Sequence, residues 1–342
     1  MRSYLTKRTL FDAIIVGYLI CVALFVIFQP SEEQMLMLGR NALIFFAAMG
    51  GSAVLSYVIN KSGMKTLGEL VFEPPHKKAQ AKEETWYKTV WGWELLVFIV
   101  ITLIVGLNVT QVSIIKLVDE ESFYPTMRLF KSLATPNWNL LPRAVLMMIE
   151  TMFLAFIATS LAIPIAFVAC FFAAKNIMKH PVAFVIYLLV RTLLNVTRSI
   201  EAFIWAIIFT VWVGIGPFAG MMALFIHSIA SLTKQYSEIV EVVSEGPIEG
   251  IQSTGANLVQ TIWFAIVPQV ILPFISFTVY RWDINIRMAT IVGFVGGGGI
   301  GYLLQTYSSQ AMWAEVGTIV VVIAFVVWFM DTASAYIREA LK

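Results

Sequence analysis

Three charged residues, Arg281, Asp283 and Arg287, are the part of this sequence best suited to attract an anion. They follow an apolar run at 261–280 that is long enough to span a membrane, and we expect them at its outer end. Two guanidinium groups attract anions because Arg pairs well with phosphoryl oxygens. The alternative is an anchor at the membrane interface, with Asp283 neutralising one Arg. The residues alone leave both interpretations open.

The second feature is a run of four glycines: Gly296, Gly297, Gly298 and Gly299. With Gly301, this run matches the spacing G-x-G-x-x-G. A dinucleotide site requires that motif between a strand and a helix of a soluble βαβ unit, whereas here it lies in an apolar stretch at 288–304. Close helix packing through small residues would explain it. We favour a break in a helix that lines a transport pathway, because irregular backbone is tolerated there.

No motif of an ATPase, a metal site or a redox site is visible. The phosphate-binding pattern G-x-x-x-x-G-K-[ST] does not occur, so this chain is not expected to hydrolyse ATP. The histidines are scattered at His76, His180 and His227, and both cysteines, Cys21 and Cys170, lie inside apolar runs. The sequence therefore predicts neither a cofactor nor a metal.

Ionisable residues also occur inside an apolar run at 183–213, which holds Arg191, Arg198 and Glu201. Such residues usually face the interior of a helix bundle or a cavity. Because Arg198 and Glu201 are three residues apart on one helix face, we expect a structural ion pair.

The composition places these features in a membrane. The 342 residues are 59% hydrophobic and 13% charged, and a soluble domain carries about a quarter charged residues. The mean hydropathy is +0.82. The predicted spans are 11–28, 41–59, 91–110, 144–174, 183–213, 218–236, 261–280 and 314–337. This is an all-α protein with about eight transmembrane helices, and the 183–213 run is long enough to be tilted or broken.

The basic residues orient these spans. Placing both termini in the cytoplasm puts about twice as many Lys and Arg inside as outside. The segment 61–88, with Pro74 and Pro75, is then a cytoplasmic linker, and 111–142 is an external segment. No internal repeat is apparent, which argues against an inverted-repeat secondary transporter.

The polar stretch 237–260 is the only sizeable cytoplasmic segment in the second half of the chain. Pro247 suits the first turn of a new helix, with Glu245 and Glu249 near its positive N-terminal end. Gly255 interrupts the chain again before the next apolar run. The pattern predicts a short amphipathic helix that docks as a rigid body on a partner, and the alternative is a plain connecting loop.

The residues of this stretch resemble the coupling-loop signature of ABC importer permeases, which is Glu-Ala-Ala, three residues, Gly, nine residues, then Ile-x-Leu-Pro. The matching segments are Glu249-Gly250-Ile251, Gly255 and Ala265-Ile266-Val267-Pro268. The spacing from Glu249 to Gly255 and on to Pro268 fits the signature. The side chains at four positions depart from it: Gly250, Ile251, Ala265 and Val267.

Neighbouring segments resemble the phosphonate-uptake branch of that family. These segments are 267–287 and 293–301, together with 150–164, which is similar to the first helix of the permease core. The likeness covers roughly 90–340. We therefore divide the chain into an additional N-terminal hairpin (1–60), a cytoplasmic linker (61–90), a helix with an external segment (91–143) and the permease core (144–342).

The resemblance implies a type I ABC importer permease fold in the cell inner membrane. It implies a homodimer that forms the pathway, two separate ATPase subunits and an external substrate-binding protein. The residues implied in ATPase coupling are Glu245, Pro247, Glu249, Gly250, Gly255 and Pro268. The implied substrate is phosphonate or a related phosphorus oxyanion. An ion-gradient-driven secondary transporter and a non-transporting membrane scaffold are the alternative functions.

Overall fold

The regular structure of this protein is helical throughout the residues that the computed structural model describes, which are 2–28, 38–61, 66–72, 85–110, 112 and 119–341. The helices are α1 (Arg2–Phe28), α2 (Leu38–Lys61), α3 (Leu67–Phe72), α4 (Val90–Val109), α5 (Glu120–Leu133), α6 (Leu141–Phe172), α7 (Pro181–Ser199), α8 (Ala202–Val213), α9 (Pro217–Glu241), α10 (Glu245–Gln252), α11 (Leu258–Thr261), α12 (Val267–Val292), α13 (Gly299–Ser309) and α14 (Trp313–Ala340). Short 3₁₀ helices lie at Trp86–Lys88 and Trp138–Leu140. Segments of π-helix at Ile262–Ile266 and Gly293–Gly297 precede and follow α12. The all-α prediction is confirmed.

The chain divides into two compact units, Met1–Phe123 and Tyr124–Lys342, and the division falls within α5. In the first unit α1 packs against α2, α3 and α4. The buried Asp12 carboxylate of α1 accepts hydrogen bonds from Thr66 Oγ1 at 2.6 Å and Gly68 N at 2.7 Å, which ties α1 to the start of α3. Most of the predicted linker 61–88 and part of the segment 111–142 lie outside the described residues. The division of the chain into the segments 1–60, 61–90, 91–143 and 144–342 stays a prediction.

The second unit is built around α6, α9 and α12, which pack against one another. The buried face of α6 is a stripe of small side chains. Its members Ala144, Ala155, Ala158, Ala162 and Ala166 are fully buried. Helices in lipid gain little from the hydrophobic effect, so small residues that allow close backbone approach favour their association. The stripe therefore explains why α9 packs closely along α6.

Within the described residues, six helical segments are long and apolar enough to cross a membrane. They are Asn41–Ile59, Val90–Val109, Trp138–Phe172, Pro181–Ser199, Leu258–Gly297 and Trp313–Ala340. The predicted spans 11–28 and 218–236 lie within α1 and α9, which are 27 and 25 residues long. The run 183–213 is broken as expected, because α7 ends at Ser199 and α8 begins at Ala202.

Gly301 sits where α13 crosses α12. A Cβ added at Gly301 would lie 1.9 Å from the carbonyl oxygen of Thr290, a contact that only backbone movement relieves. We expect Gly301→Ala to destabilise the protein by about 1–3 kcal/mol, as overpacking does elsewhere. Thermal unfolding of the detergent-solubilised protein measures this loss. Gly106→Ala in α4, where nothing lies within 4 Å of the added Cβ, is the control and should not lower the midpoint.

Candidate functional site

The predicted amphipathic helix is present as α10, and none of its residues is buried. Ser244 precedes it with extended backbone angles, and Pro247 lies in its first turn as the sequence predicts. Glu245, Glu249 and Gly250 are exposed, while Ile248 packs against the apolar core of the second unit. The helix thus has one face seated on the bundle and an acidic face directed outward.

Hydrogen bonds fix the chain on both sides of α10. Ser244 N donates to Gln269 Oε1 at 3.2 Å, which connects the start of α10 to the first turn of α12 next to the exposed Pro268. On the other side the chain turns at Gly255, where φ is +82° and a side chain would be strained. Asn257 and Gln260 then form a reciprocal capping box at the start of α11. The bond from Ser244 thus joins the start of α10 to α12, and the capping box fixes where the chain resumes as a helix after α10.

The glycine run forms the predicted helix break. The π-helix Gly293–Gly297 interrupts the path from α12 to α13, and Gly296 and Gly298 have φ of +95° and +77°. L-residues with side chains rarely adopt such angles, so glycine is required there. Helix α13 then begins at Gly299.

Three hydrogen bonds stabilise this break from neighbouring elements. Gly216 N, just before α9, donates to Gly296 O at 2.8 Å. From α6, Glu150 Oε1 accepts from Gly299 N at 3.3 Å and Thr151 Oγ1 accepts from Ile300 N at 2.8 Å. The free backbone groups at the break therefore find partners inside the protein, as membrane-spanning structure requires.

The position expected for Arg281, Asp283 and Arg287 was wrong. They lie in the second half of α12, which continues to Val292 instead of ending near 280. No Gly or Pro occurs between 281 and 292 to end the helix.

Asp283 and Arg287 neutralise each other within this helix. Arg287 Nη2 lies 2.7 Å from Asp283 Oδ2 and 3.3 Å from Asp331 Oδ1 on α14. The Asp283 side chain is 5% exposed, so its buried charge is balanced by the half-exposed guanidinium of Arg287. This cluster joins α12 to α14 and leaves Arg287 with two carboxylates.

Arg281 lies in a different environment. It is 6% exposed, and its Nε lies 3.4 Å from the Oγ of Ser228 on α9. The fully buried Asn285, one turn further along α12, donates from Nδ2 to Ser228 Oγ at 2.7 Å and to Thr159 Oγ1 on α6 at 2.8 Å. Side chains from α6, α9 and α12 thus meet in one buried polar cluster, defined by Thr159, Ser228, Arg281 and Asn285.

The ion pair expected between Arg198 and Glu201 is absent from the described residues. α7 ends at Ser199, and Glu201 has extended backbone angles before α8, so the two side chains no longer share a helix face. Arg191 instead pairs with Glu241 at 2.8 Å and also donates to Ala173 O at 3.0 Å. This contact joins α7 to the end of α9, four residues before α10 begins.

Sequence reasoning missed the polar partners of Arg281 and the residues that cap the break. Thr159 and Ser228 lie in two different predicted spans, 144–174 and 218–236, and Asn285 lies beyond the predicted end of the span 261–280. The available signal was the polar content of the apolar run 218–236, which includes His227 and Ser228. Glu150, a charged residue inside an apolar run, was a second such signal.

The fold and the exposed α10 define the class of this protein as a helical membrane-transport subunit. A family model described as "binding-protein-dependent transport system inner membrane component" matches residues 181–342. The second unit contains that region, including α10, the glycine break and Arg281.

Curated relatives agree with this match. The phosphite transport system permease protein PtxC of Stutzerimonas stutzeri is 35% identical over 195 residues, which are 57% of this chain and 70% of that protein. The putative cryptic phosphonate transport system permease protein PhnE2 of Escherichia coli (strain K12) is 40% identical over 119 residues, 35% of this chain and 98% of that protein. The phosphate-import permease protein PhnE of Mycolicibacterium smegmatis is 32% identical over 219 residues, 64% of this chain and 41% of that protein.

A solved structure supports the fold. The chain resembles a subunit of the MetNI methionine ABC transporter in an inward-facing conformation, with a TM-score of 0.51 and 20% identity, over 59% of this chain and 96% of that one. This protein belongs to the inner membrane components of binding-protein-dependent transport systems, the permease subunits of ABC importers.

The Asp283–Arg287 pair gives a stability prediction. Removing one partner leaves the other charge without its closest counter-ion, so Arg287→Gln and Asp283→Asn should each lower the free energy of unfolding by about 2 kcal/mol. This loss of stability is smaller than the loss expected for a fully buried ion pair, because the Arg287 side chain is 44% exposed. The double variant should lose less than the sum of the two losses. Thermal unfolding of the four proteins in detergent measures the coupling, and strictly additive losses would contradict a direct interaction.

Proposed function

We propose that this chain is the membrane-spanning permease subunit of an ATP-driven importer for phosphonate or a related phosphorus oxyanion. The proposal depends above all on α10, an exposed helix joined to α12 at its start and followed by a turn at Gly255, in a chain of this family. The substrate class follows the names of the relatives, which are phosphite, phosphonate and phosphate permeases. ATP hydrolysis belongs to a separate partner subunit.

In this proposal α10 is the coupling helix. Its exposed acidic face, with Glu245, Glu249 and Gly250, binds a groove on the ATPase, while Ile248 holds it to the bundle. Pro247 lies in its first turn, Gly255 forms the turn that follows it, and Pro268 lies in the first turn of α12, the helix that receives its movement. Because short, hydrogen-bonded segments join α10 to α9 and α12, a displacement of α10 moves both helices.

The pathway in this proposal follows α12, the break and α13. Arg281 lies about 21 Å along α12 from its first residue, at 1.5 Å per residue. The break at Gly296, Gly297, Gly298 and Gly299 follows on the same chain, where a small change of backbone angles alters the direction of α13. The permease works as a homodimer, with both termini in the cytoplasm and the external binding protein delivering the substrate from the other side.

Charge reversal on α10 tests the coupling role. Glu249→Arg should leave the stability of the chain unchanged, because Glu249 is exposed. It should weaken association with the ATPase by roughly tenfold or more, since like charges then meet at the interface. Co-purification of the co-expressed subunits measures this association. Glu339→Arg, the same reversal at an exposed position of α14, is the control.

Association that is unchanged in Glu249→Arg would contradict the role assigned to α10. Uptake of labelled methylphosphonate into proteoliposomes, with and without the ATPase and ATP, tests the function itself. Uptake that requires an ion gradient and no ATPase would establish a secondary transporter instead. A chain that binds the ATPase but supports no uptake with the binding protein present would be a scaffold.

A further inference from the structure

The polar cluster of Thr159, Ser228, Arg281 and Asn285 holds a positive charge that no carboxylate of the described residues contacts. Arg281 is 6% exposed, and its Nη2 atom is buried without a hydrogen-bond partner. Arg191 and Arg287, by contrast, each have a carboxylate within 2.8 Å. The Glu201 carboxylate acts on Arg281 through its charge, but the two form no ion pair within the part of the chain that the structure describes. Burying a charged group without a counter-ion in direct contact is unfavourable. A guanidinium in this state is suited to an anion that arrives from outside the chain.

The hydrogen-bond directions in the cluster are fixed by its neighbours. Thr159 Oγ1 donates to the carbonyl oxygen of Ala155 at 2.7 Å, so it must accept from Asn285. The amide nitrogen of Asn285 therefore faces Thr159 and Ser228, and its oxygen Oδ1 is left buried without a donor. Ser228 Oγ accepts from both Arg281 and Asn285, which leaves its own hydrogen available.

The unused groups are complementary to one kind of ligand. Arg281 Nη2 and the Ser228 hydroxyl are donors, and Asn285 Oδ1 is an acceptor. His227, next to Ser228 in α9, is 8% exposed and adds a buried Nδ1 without a partner. A singly protonated tetrahedral oxyanion has charged oxygens for the two donors and a hydroxyl group for the acceptor.

We propose that Arg281, Ser228 and Asn285 form a binding site for one tetrahedral oxyanion inside the helix bundle. This inference rests on the proposed import function, because the site would hold the substrate between its release by the binding protein and its exit. Its three residues belong to α9 and α12, the two helices joined to α10. A displacement of α10 would separate the Ser228 hydroxyl from Arg281 and weaken the site.

Binding to the purified full chain, without partner subunits, tests the site. The probe is labelled methylphosphonate in equilibrium dialysis against the protein in lipid nanodiscs, with unlabelled phosphite as competitor. We expect saturable binding near one ligand per chain. Arg281→Gln should weaken it at least tenfold, and Arg281→Lys, which keeps the charge, should weaken it less. Lys234→Gln is the control, since it removes a cation from α9 whose partner Glu238 is 53% exposed, and it should change binding by less than twofold.

Asn285→Asp separates a binding role from a structural one. The new carboxylate lies one turn from Arg281 and supplies its missing counter-ion. The carboxylate cannot donate to Thr159 and Ser228 as the Asn285 amide does, so we expect this variant to fold but to unfold at a lower temperature than the wild type, and to lose methylphosphonate binding. A purely structural Arg281 predicts the same loss of stability with unchanged binding. This variant also tests the site if Arg281→Gln does not fold.

The proposal is overturned if the wild type shows no saturable binding, or if Arg281→Gln or Asn285→Asp binds methylphosphonate like the wild type. It is also overturned if Lys234→Gln loses as much binding as Arg281→Gln. The proteoliposome assay keeps this result separate from the import function. If ATP-dependent uptake is observed but Arg281→Gln binds methylphosphonate as the wild type does, the binding site is rejected and the import function is not. Specific binding without ATP-dependent uptake rejects the importer and leaves the site standing.

Discussion

Polar groups inside a membrane protein must find their partners within the protein, since lipid offers none, and this requirement explains most of the second unit. The break between α12 and α13 meets it with bonds from Gly216, Glu150 and Thr151. Asp283 meets it with Arg287, and Arg191 with Glu241. Each of these bonds joins two different helices or holds the helix in which it lies. The polar residues thus determine the arrangement of helices whose apolar surfaces are nearly interchangeable in lipid.

Close packing supplies the second constraint. The alanine stripe of α6 and the glycines of the break allow backbones to approach within distances that larger side chains forbid. At the break, the Cβ that Gly297 lacks would lie 2.6 Å from a side-chain atom of Val292 and 3.1 Å from the backbone of Gly220. The glycines of the irregular segment are therefore buried against neighbouring backbone and side chains, whereas Phe294 is exposed. Such a segment changes its shape only when its neighbours move, which is the property that a gated pathway needs.

The sequence predicted the structural features that are formed by residues close together in the chain. The short α10, its bounding turns and the glycine break are local features of Pro247, Gly255 and Gly296, and all three were predicted correctly. The end of α12 was not, because a charged cluster after an apolar run looks like the end of a span. The structure shows that Asp283 and Arg287 pair within the helix and let it continue.

The polar cluster lay beyond prediction for a physical reason. Asn285 is 57 residues from Ser228 and 126 residues from Thr159 in the chain, so only the packing of α6, α9 and α12 brings them together. The expected pair of Arg198 and Glu201 failed for the opposite reason, since a local helix break separated residues that the pattern joined. In both cases the relative position, or register, of neighbouring helices determines which polar and charged side chains come into contact. That register is set by small-residue packing together with polar contacts between helices, and a hydropathy pattern contains neither.

The same register connects the two proposals. α10 is joined to the bundle through α9 on one side and α12 on the other, and these helices carry Ser228 and Arg281 on facing surfaces. The contact between Arg281 Nε and Ser228 Oγ is 3.4 Å long, the weakest in the cluster, whereas Asn285 holds both hydroxyls at shorter distances. A relative shift of α9 and α12 would thus break the Arg281 contact first and leave the Asn285 contacts that hold the three helices together. A site formed by residues of two helices loses its ligand when the helices move apart. ATP-driven movement of α9 and α12 would therefore release the oxyanion without chemical change to it.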